Sequence, residues 1–444
     1  DADPVEDFSL RANLLIEATD RLTIDLRGSL NLLRTQGFYY NIVNDVNTIA
    51  PVRVNNAGRD DRDIYNVALK VEYAGDNAVL TSVSSYDTLS EIVTGDAFNF
   101  LPIQESLLFQ FFGIDINQSQ YLDVKAFSQE VRLASPEDGR AFNWMVGGYL
   151  IDTTRYISTG NLLDTGNGVT AVFRTPSTNP LNPQLTFLAD GQNNFAWAMF
   201  ANAGYRFSDQ FRVDASLRYD RDRRRQTTLT PQNFLPVVPG VPQARSGEVR
   251  KVTFDDWQPK ITLTYEPTPD VTIYGGYSRG FRSGGYNFRI TNVPVFGRAF
   301  AATGELGFDE EQVDNYEIGG KFQTADGSFT LNVAGYVTKV GNMQREVNLA
   351  DPGAGVVQNI LNTADATILG FEAEARMRVS DALAFTANLG LIDAQYDRVL
   401  FDISGDGRIT DADLDLSLPR VPPITVGMGL IHDWDLGSSN ILTR

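Results

Sequence analysis

The segment from Phe401 to Leu414, FDISGDGRITDADL, places oxygen-bearing groups at regular intervals along a short stretch of chain. Counted from the first aspartate, candidate ligands stand at positions 1, 3, 5, 7, 9 and 12: Asp402, Ser404, Asp406, the carbonyl of Arg408, Thr410 and Asp413. Hard oxygen ligands at this spacing can surround one Ca²⁺ ion, and Gly407 at the sixth position permits the sharp turn. The alternative is an acidic external loop with an Asp-Gly turn, because Asp413 is shorter than the usual glutamate. The spacing predicts a weak calcium site that would rigidify a loop.

Two arginine-containing segments are candidates for contact with an anionic ligand. The first is the run RDRRR at 221–225, and the second is the region 279–311, which combines arginines with aromatics. Guanidinium groups hold carboxylates and phosphates through charge-assisted hydrogen bonds, which suits an anionic ligand. The alternative is that both segments are solvated parts of loops. The candidate ligand-binding residues are Arg223, Arg224, Arg282, Tyr286 and Arg289.

Composition removes several other kinds of chemistry. The chain has 444 residues, no cysteine, one histidine and a formal net charge of −19. Thiolate chemistry and disulfides are excluded, and the acidic balance argues against a nucleic-acid partner. A hydrolytic membrane barrel needs a histidine to carry protons. His432 lies beside a short turn, where we expect an interfacial residue rather than a base, so the sequence predicts that the chain is not an enzyme.

The elements that position these residues alternate apolar and polar side chains with period two. The apolar set in 194–219 comprises Phe195, Trp197, Met199, Ala201, Ala203, Tyr205, Phe207, Phe211, Val213, Ala215, Leu217 and Tyr219. Between them lie polar residues such as Arg212, Asp214 and Arg218. These are strands of about ten or more residues, apolar on one face and charged on the other.

Short turns and long loops alternate between these strands. Short turns are predicted near 19–20, 75–77, 135–139, 208–210, 267–270, 325–327 and 380–382. Long polar loops are predicted near 35–63, 90–120, 158–193, 221–253, 279–311, 341–356 and 396–420. A soluble sandwich has no reason to collect its short turns at one end, whereas a transmembrane barrel has short periplasmic turns and long external loops.

Two interpretations fit the alternation itself. In a soluble antiparallel sheet the apolar face would be buried in a core, and in a membrane barrel it would contact lipid while the charged face lined a wet lumen. Strand length favours the barrel, as do the aromatics beside the short turns: Tyr73, Phe207, Phe211, Tyr265, Phe322, Phe329 and Phe385. In 271–278 we expect Val271, Ile273 and Tyr277 to face lipid and Tyr274 and Ser278 to face the lumen. No apolar run approaches the roughly 18 residues that a membrane helix needs.

Four segments resemble the TonB-dependent outer-membrane receptors. They are FSQEVRLASPEDGRAFNWMVGGYL (127–150), IYGGYSRGFRSGGYN (273–287), DNYEIGGKFQTADGSFTLNVAGYVTKVGNMQ (314–344) and NTADATILGFEAEARMRV (362–379). Their order and spacing match the second half of such receptors. The loop at 402–413 separately resembles the calcium loops of EF-hand and dockerin proteins.

The resemblance implies a barrel of about 22 strands closed by a plug domain. Such receptors import a scarce ligand, such as a ferric siderophore, cobalamin or an oligosaccharide, with energy relayed by TonB, ExbB and ExbD. We therefore expect an all-β chain that forms a partial transmembrane antiparallel up-and-down β-barrel of about 15–16 strands. Residues 1–444 are expected to be the barrel domain alone, without plug, TonB box or last strands. The expected location is the bacterial outer membrane, in contact with lipid and lipopolysaccharide, and TonB would act through the missing plug. A passive porin and a soluble calcium-binding β surface protein remain alternatives.

Overall fold

The computed structural model describes residues 4–37, 45, 47–49, 53–96, 101–136, 139–235, 245–287, 307–351, 355–435, 437 and 440–443. Strands occupy most of this part of the chain. The first nine are β1 (Glu6–Thr19), β2 (Leu22–Thr35), β3 (Arg59–Ala74), β4 (Val79–Asp96), β5 (Ile116–Ala134), β6 (Phe142–Leu163), β7 (Gln184–Arg206), β8 (Phe211–Thr228) and β9 (Val249–Thr268). The others are β10 (Val271–Arg282), β11 (Gly285–Tyr286), β12 (Gly307–Phe308), β13 (Glu311–Gln323), β14 (Phe329–Asp351), β15 (Gly355–Arg378), β16 (Leu383–Val399), β17 (Ile424–Asp435) and β18 (Asn440–Thr443).

Sixteen of these strands form one antiparallel sheet in which neighbours in sequence are neighbours in space. Only β11 and β12 stand apart, as a two-stranded hairpin between β10 and β13. The predicted up-and-down topology and strand number are confirmed. The predicted short turns are also confirmed, since each joins consecutive antiparallel strands at the same end of the sheet.

The predicted bounds of the long loops are wrong, because the strands continue well into them. β8 runs to Thr228 and β9 begins at Val249, although a loop was expected from 221 to 253. The region 341–356 is mostly the paired ends of β14 and β15. Backbone pairing continues where both faces of the sheet are polar, and there the period-two signal disappears.

The two faces of the sheet differ in chemistry. Large apolar side chains are exposed on what we call the outer face: Ile261 is 51% exposed, Ile318 67% and Met428 76%. On the inner face of β8, Arg218 donates to both oxygens of Asp220 at 2.6 and 2.7 Å. Exposed apolar residues on this scale have no counterpart on a soluble monomer, so the outer face is the lipid-facing one.

Residues 271–278 follow the predicted alternation. Tyr277 pairs with Tyr316 on the outer face, with ring centroids 5.0 Å apart. Tyr274 donates from its hydroxyl to Glu317 at 2.7 Å on the inner face. A Cβ on Gly319 would lie 2.5 Å from the Tyr274 ring, so this glycine leaves room for the aromatic side chain across the strand.

Aromatic side chains mark both edges of the apolar band. At the short-turn end Phe211 stacks on Tyr265 with centroids 4.5 Å apart, which confirms the predicted belt. A second belt toward the loop end was not predicted; there Tyr219 lies 5.6 Å from Trp197 and 4.8 Å from Trp257. Phe211 and Tyr219 are eight residues apart on β8, about 26 Å along the strand and about 20 Å after the usual tilt, close to the apolar band of a membrane barrel.

Helices are few and short in the described part of the chain: α1 (Leu107–Phe112) and α2 (Asp411–Leu414), besides two single 3₁₀ turns. None of them is long and apolar enough to cross a membrane. Buried apolar clusters lie at the loop end, where Tyr156, Leu162 and Phe187 pack under the 164–183 segment and where Ala364, Tyr396 and Leu418 pack together. The loop end is therefore the part of the molecule with conventional packing, and it is where candidate binding residues are held.

Candidate functional site

The segment after β10 crosses the inner face of the sheet at the loop end. Gln226 on β8 donates from its amide to the carbonyl of Asn287 at 2.9 Å. The Asn287 side chain donates to Ile360 on β15 at 2.8 Å and accepts from the Ile360 amide at 2.7 Å. Four strands separate β8 from β15 in the sheet, so a flat sheet would hold them about 24 Å apart. One residue touches both because the sheet curls around it.

Glycines and an amide side chain fix this crossing segment. Gln344 on β14 donates to the carbonyls of Arg282, Ser283 and Asp309, at 3.3, 3.1 and 2.9 Å. A Cβ on Gly284 would lie 2.2 Å from the carbonyl oxygen of Phe308. Because that neighbour is backbone, only glycine fits, and the β11–β12 hairpin can lie directly against the wall.

Two of the predicted ligand contacts, Arg224 and Tyr286, lie at this crossing. Arg224 faces inward and donates from Nε and Nη2 to Asp222 at 3.0 and 2.9 Å. A Cβ on Gly285 would lie 3.2 Å from the Arg224 Nη1 atom, so the guanidinium abuts the residue before Tyr286. Arg282 lies at the exposed end of β10 on the same inner face. Arg224 therefore lies against the crossing segment, and Arg282 lies at the end of β10 from which that segment begins.

Several buried polar atoms near the crossing have no hydrogen-bond partner among the described residues: Asp222 Oδ1, Gln226 Oε1, Asp256 Oδ2, Gln344 Oε1, and both side-chain polar atoms of Asn359. Such groups carry a desolvation cost when they are left unpaired. Polar groups that converge in a concave site are what a polar ligand requires. The sequence did not single out these amides, since isolated Gln and Asn residues give no local signal.

Arg223, another predicted ligand contact, does not lie at this crossing. Arg223 is one residue from Arg224 on β8 and therefore points to the outer face, with its guanidinium 5.6 Å from the centroid of the Phe195 ring. The run 221–225 belongs to a strand and not to the base of a loop, which corrects its predicted setting. Arg289 lies outside the described residues.

The 402–413 loop is held by backbone N–H groups that its own carboxylates accept. Asp413 is fully buried and accepts from Thr410, Ile403 and Ser404 at 2.8, 3.0 and 2.8 Å. Asp402 accepts from Gly405 and Gly407, both at 2.7 Å. The Thr410 N–H, followed by those of Ser404 and Ile403, holds the pKa of Asp413 below its ordinary value of 3.8. No group of three or more acidic or histidine side chains in the described ranges is placed to hold a metal ion, and calcium binding stays a prediction.

A second polar cluster, missed at the sequence level, joins three loops at the same end. The Asn56 amide donates to Asp96 at 2.8 Å and to Asp164 at 2.7 Å. Asp164 also accepts from Asn55 and from the Gly166 N–H, both at 2.8 Å. Burial raises the pKa of Asp96 to about 6, and its Oδ2 atom has no partner within the described part of the chain.

Comparisons with known proteins agree with this geometry. A family model described as "TonB dependent receptor-like, beta-barrel" matches residues 10–442. The curated pesticin receptor of Yersinia pestis is 24% identical over 199 residues, which is 45% of this chain and 26% of that protein. Two solved structures share the fold. The ferric yersiniabactin uptake receptor FyuA from Yersinia pestis aligns with a TM-score of 0.66 at 16% identity, over 99% of this chain and 58% of that one.

The siderophore receptor PiuA from Acinetobacter baumannii aligns with a TM-score of 0.67 at 14% identity, over 97% of this chain and 62% of that one. At such identities the likeness establishes the fold and carries no residue roles. The chain spans less than two thirds of each solved relative, and its match covers about a quarter of the curated pesticin receptor. The activity of the whole protein is therefore inferred from the site and the family together.

Proposed function

Because the chain belongs to the TonB-dependent receptors, whose members are outer-membrane β-barrels, we propose that it is the barrel of an active transporter. Its cargo would be a scarce polar nutrient, and a metal chelate of the siderophore kind is the favoured class. Energy would come from TonB with ExbB and ExbD, acting through a plug domain. The observation that carries this proposal is the placement of Arg224, Arg282 and Tyr286 at the loop end, together with amide oxygens that have no hydrogen-bond partner among the described residues.

The arrangement suits an anionic chelate for electrostatic reasons. Arg282 is exposed and makes no ion pair with any described residue, so it can meet the ligand's charge without first losing a partner. Arg224 is held in place by Asp222, which orients its remaining N–H groups toward the crossing segment. Guanidinium pairs bind carboxylate or hydroxamate oxygens with defined geometry.

We also infer that the chain is not an enzyme, in line with a family of receptors and transporters. His432 lies on β17 at the short-turn end, with its ring 4.2 Å from that of Trp434, which is 51% exposed on the outer face. A histidine packed against an interfacial tryptophan on the outer face suits a residue of the aromatic belt rather than a catalytic base.

The functional test compares inward and outward arginines on one strand. Arg224→Gln and Arg282→Gln are each expected to weaken ligand binding about tenfold or more, because each removes a charge-assisted contact. Arg223→Gln, one residue away but on the outer face, is the matched control and should bind within about twofold of the wild type. Uptake of radiolabelled iron chelates by an iron-starved siderophore-receptor deletion strain, with and without TonB, gives the measurement. Uptake that persists without TonB would indicate a passive channel.

We further propose that the 402–413 loop takes Ca²⁺ weakly, with a Kd of about 10⁻⁴–10⁻³ M. Among the described residues Asp406 accepts only from the Arg408 N–H, at 2.9 Å, so Asp406→Ala should abolish calcium protection of the loop and leave the loop fold intact. Asp413→Ala removes the carboxylate that accepts from three backbone N–H groups, and it should speed proteolysis within the loop about tenfold even with calcium present.

Acid should mimic the loss of Asp413. Because the pKa of Asp413 is lower in the folded loop than its ordinary value of 3.8, the ionised side chain stabilises the loop above pH 3.8. This stabilisation is lost as the pH falls through the pKa of the folded loop. Limited proteolysis with an acid-active protease between pH 2 and 5, at zero and millimolar calcium, reports on both effects. Equal protection of the wild type and Asp406→Ala at every calcium concentration would show that the loop is only an acidic turn.

A further inference from the structure

A cluster of basic side chains occupies the outer face of β8 and β9 just beyond the apolar band. Arg221, Arg223 and Arg225 alternate with inward residues on β8, and Lys251 stands directly across from Arg225 on β9. All four are exposed. The outward side chains nearer the short turn on β8, from Phe211 to Leu217, are apolar. The outer face of this strand therefore changes from apolar to cationic within a few residues.

These four cations have no carboxylate partner among the described residues, whereas several other arginines of the sheet do. Inward arginines on the same strand are paired, Arg212 with Asp214 at 2.7 Å and Arg218 with Asp220 at 2.6 Å. Outward arginines on other strands are paired too, Arg34 with Asp63 at 2.6 Å and Arg279 with Asp314 at 2.8 Å. Within the described ranges no ion pair engages Arg221, Arg223, Arg225 or Lys251.

Two carboxylates lie near the cluster and do not neutralise it. Asp255 stands across from Arg221 and accepts a hydrogen bond from the Tyr219 hydroxyl at 3.2 Å. Asp152 faces outward across from Phe195, one strand further from the arginines. Four cationic side chains therefore face two carboxylates, and the surface keeps a positive excess that attracts anions.

The height of the cluster identifies its surroundings. Tyr219 lies between Trp197 and Trp257 in the aromatic belt that marks the loop-end edge of the apolar band. Arg221, Arg223 and Arg225 follow it by two, four and six residues on the same face, or about 7 to 20 Å along the strand. Side chains at that level meet lipid headgroups, because aromatic belts sit at the headgroup boundary.

We propose that Arg221, Arg223, Arg225 and Lys251 form a docking surface for the phosphate groups of an outer-leaflet glycolipid, the lipid A part of lipopolysaccharide. Arginines bind phosphate oxygens through paired N–H groups. The Phe195 ring beneath Arg223 holds that guanidinium against the wall and leaves its edge free for a phosphate. Acyl chains of the same lipid would lie over Leu217 and Ile261, which are 44% and 51% exposed directly below. The cationic cluster and the apolar band below it therefore lie at the heights of the phosphates and the acyl chains of one lipid molecule.

The test measures binding of defined lipids to the full receptor purified in a non-ionic detergent. Wild-type protein is titrated with lipid A that carries both phosphates and with chemically dephosphorylated lipid A of the same acyl composition, and native mass spectrometry counts the bound lipids. Phosphorylated lipid A should bind at least about tenfold more tightly, and the difference should shrink as salt rises from about 0.05 to about 0.5 M.

Variants test whether the four cations cause the preference for phosphorylated lipid A. Replacing all four residues by glutamine should remove the preference for phosphates, with single replacements costing about twofold each. The triple Arg→Lys variant of 221, 223 and 225 should retain most of it. The double variant Arg34→Gln with Arg279→Gln is the matched control, since these outward arginines are already neutralised and should not matter. Inorganic phosphate at the same concentration should not compete, because it lacks the acyl chains.

Three results would overturn the proposal. The first is equal binding of both lipids to the wild type, a measurement that does not depend on whether any variant folds. The second is an unchanged preference in the glutamine variant, and the third is an equal loss in the control. Any of these results would favour a protein partner for the cationic cluster instead.

Discussion

Replacing Ile261 by arginine is expected to lower the free energy of unfolding in a bilayer by about 2–4 kcal/mol, the cost of a cation at the midplane of a membrane barrel. Ile261 is 51% exposed on the outer face of β9 and lies midway between Tyr265 and Trp257, which belong to opposite aromatic belts. A guanidinium there is too far from either surface to reach water without distorting the lipid.

The adjacent residue supplies the control. Thr262 faces the inner side, where it lines a cavity of about 860 Å³ with Lys260 and Asp214. Thr262→Arg can extend into this wet space beside Asp214, so we expect a change below about 1 kcal/mol. Urea titration of both variants folding into phosphatidylcholine vesicles, followed by tryptophan fluorescence, gives the two values. Similar costs for the two arginines would mean that the faces have been assigned wrongly.

Replacing Asp96 by asparagine is expected to stabilise the loop cluster at neutral pH by about 1–3 kcal/mol. Burial raises the pKa of this carboxyl from 3.8 to about 6, so above that pH the folded cluster carries a desolvated charge whose cost is up to about 3 kcal/mol. Asparagine keeps the oxygen that accepts from Asn56 and adds a donor in the cluster that contains the Asp164 carboxylate. Hydrogen exchange at the Gly166 and Gly168 amides, which bond to Asp164 and Asn56, measures the change.

The pH dependence has a definite sign. Since the folded pKa of Asp96 is the higher one, the folded cluster binds the proton more tightly and wild-type stability falls as the pH rises from about 4 to about 6. Asp96→Asn should remove that decline. Asp164→Asn should act in the opposite direction, with at least about tenfold faster exchange, because its new amide would face the donors of Asn55 and Asn56. Slower exchange in Asp164→Asn, or no gain in Asp96→Asn, would contradict this account.

The architecture could be predicted from sequence because the membrane imposes a repeated chemical contrast. Leu217 next to Arg218, and Ile261 next to Thr262, identify strand and face together. Beyond Tyr219 both faces of β8 are polar, so the alternation gave no sign that the strand continues to Thr228. The second aromatic belt could have been predicted, since Tyr219 and Trp257 each end an apolar series and Trp197 lies one outward position from the end of another.

The binding region was only partly predictable. The period of two already places Arg223 and Arg224 on opposite faces, once the run is assigned to a strand. The approach of Asn287 to Gln226 and Ile360 was out of reach, because these residues are 61 and 73 positions apart. Contacts of that kind depend on how the whole sheet curls, which no local pattern encodes.

The alternation along β8 also constrains how this gene can change over time. In a strand with one face toward lipid and one toward water, an insertion is tolerated or not according to whether its length is even or odd. One residue inserted between the belts would move every later side chain to the opposite face and place Arg218 and Asp220 in lipid. Two inserted residues would restore the faces at the cost of a local bulge. Related genes should therefore differ in these strands by even numbers of codons, whereas the external loops should show no preference between odd and even lengths.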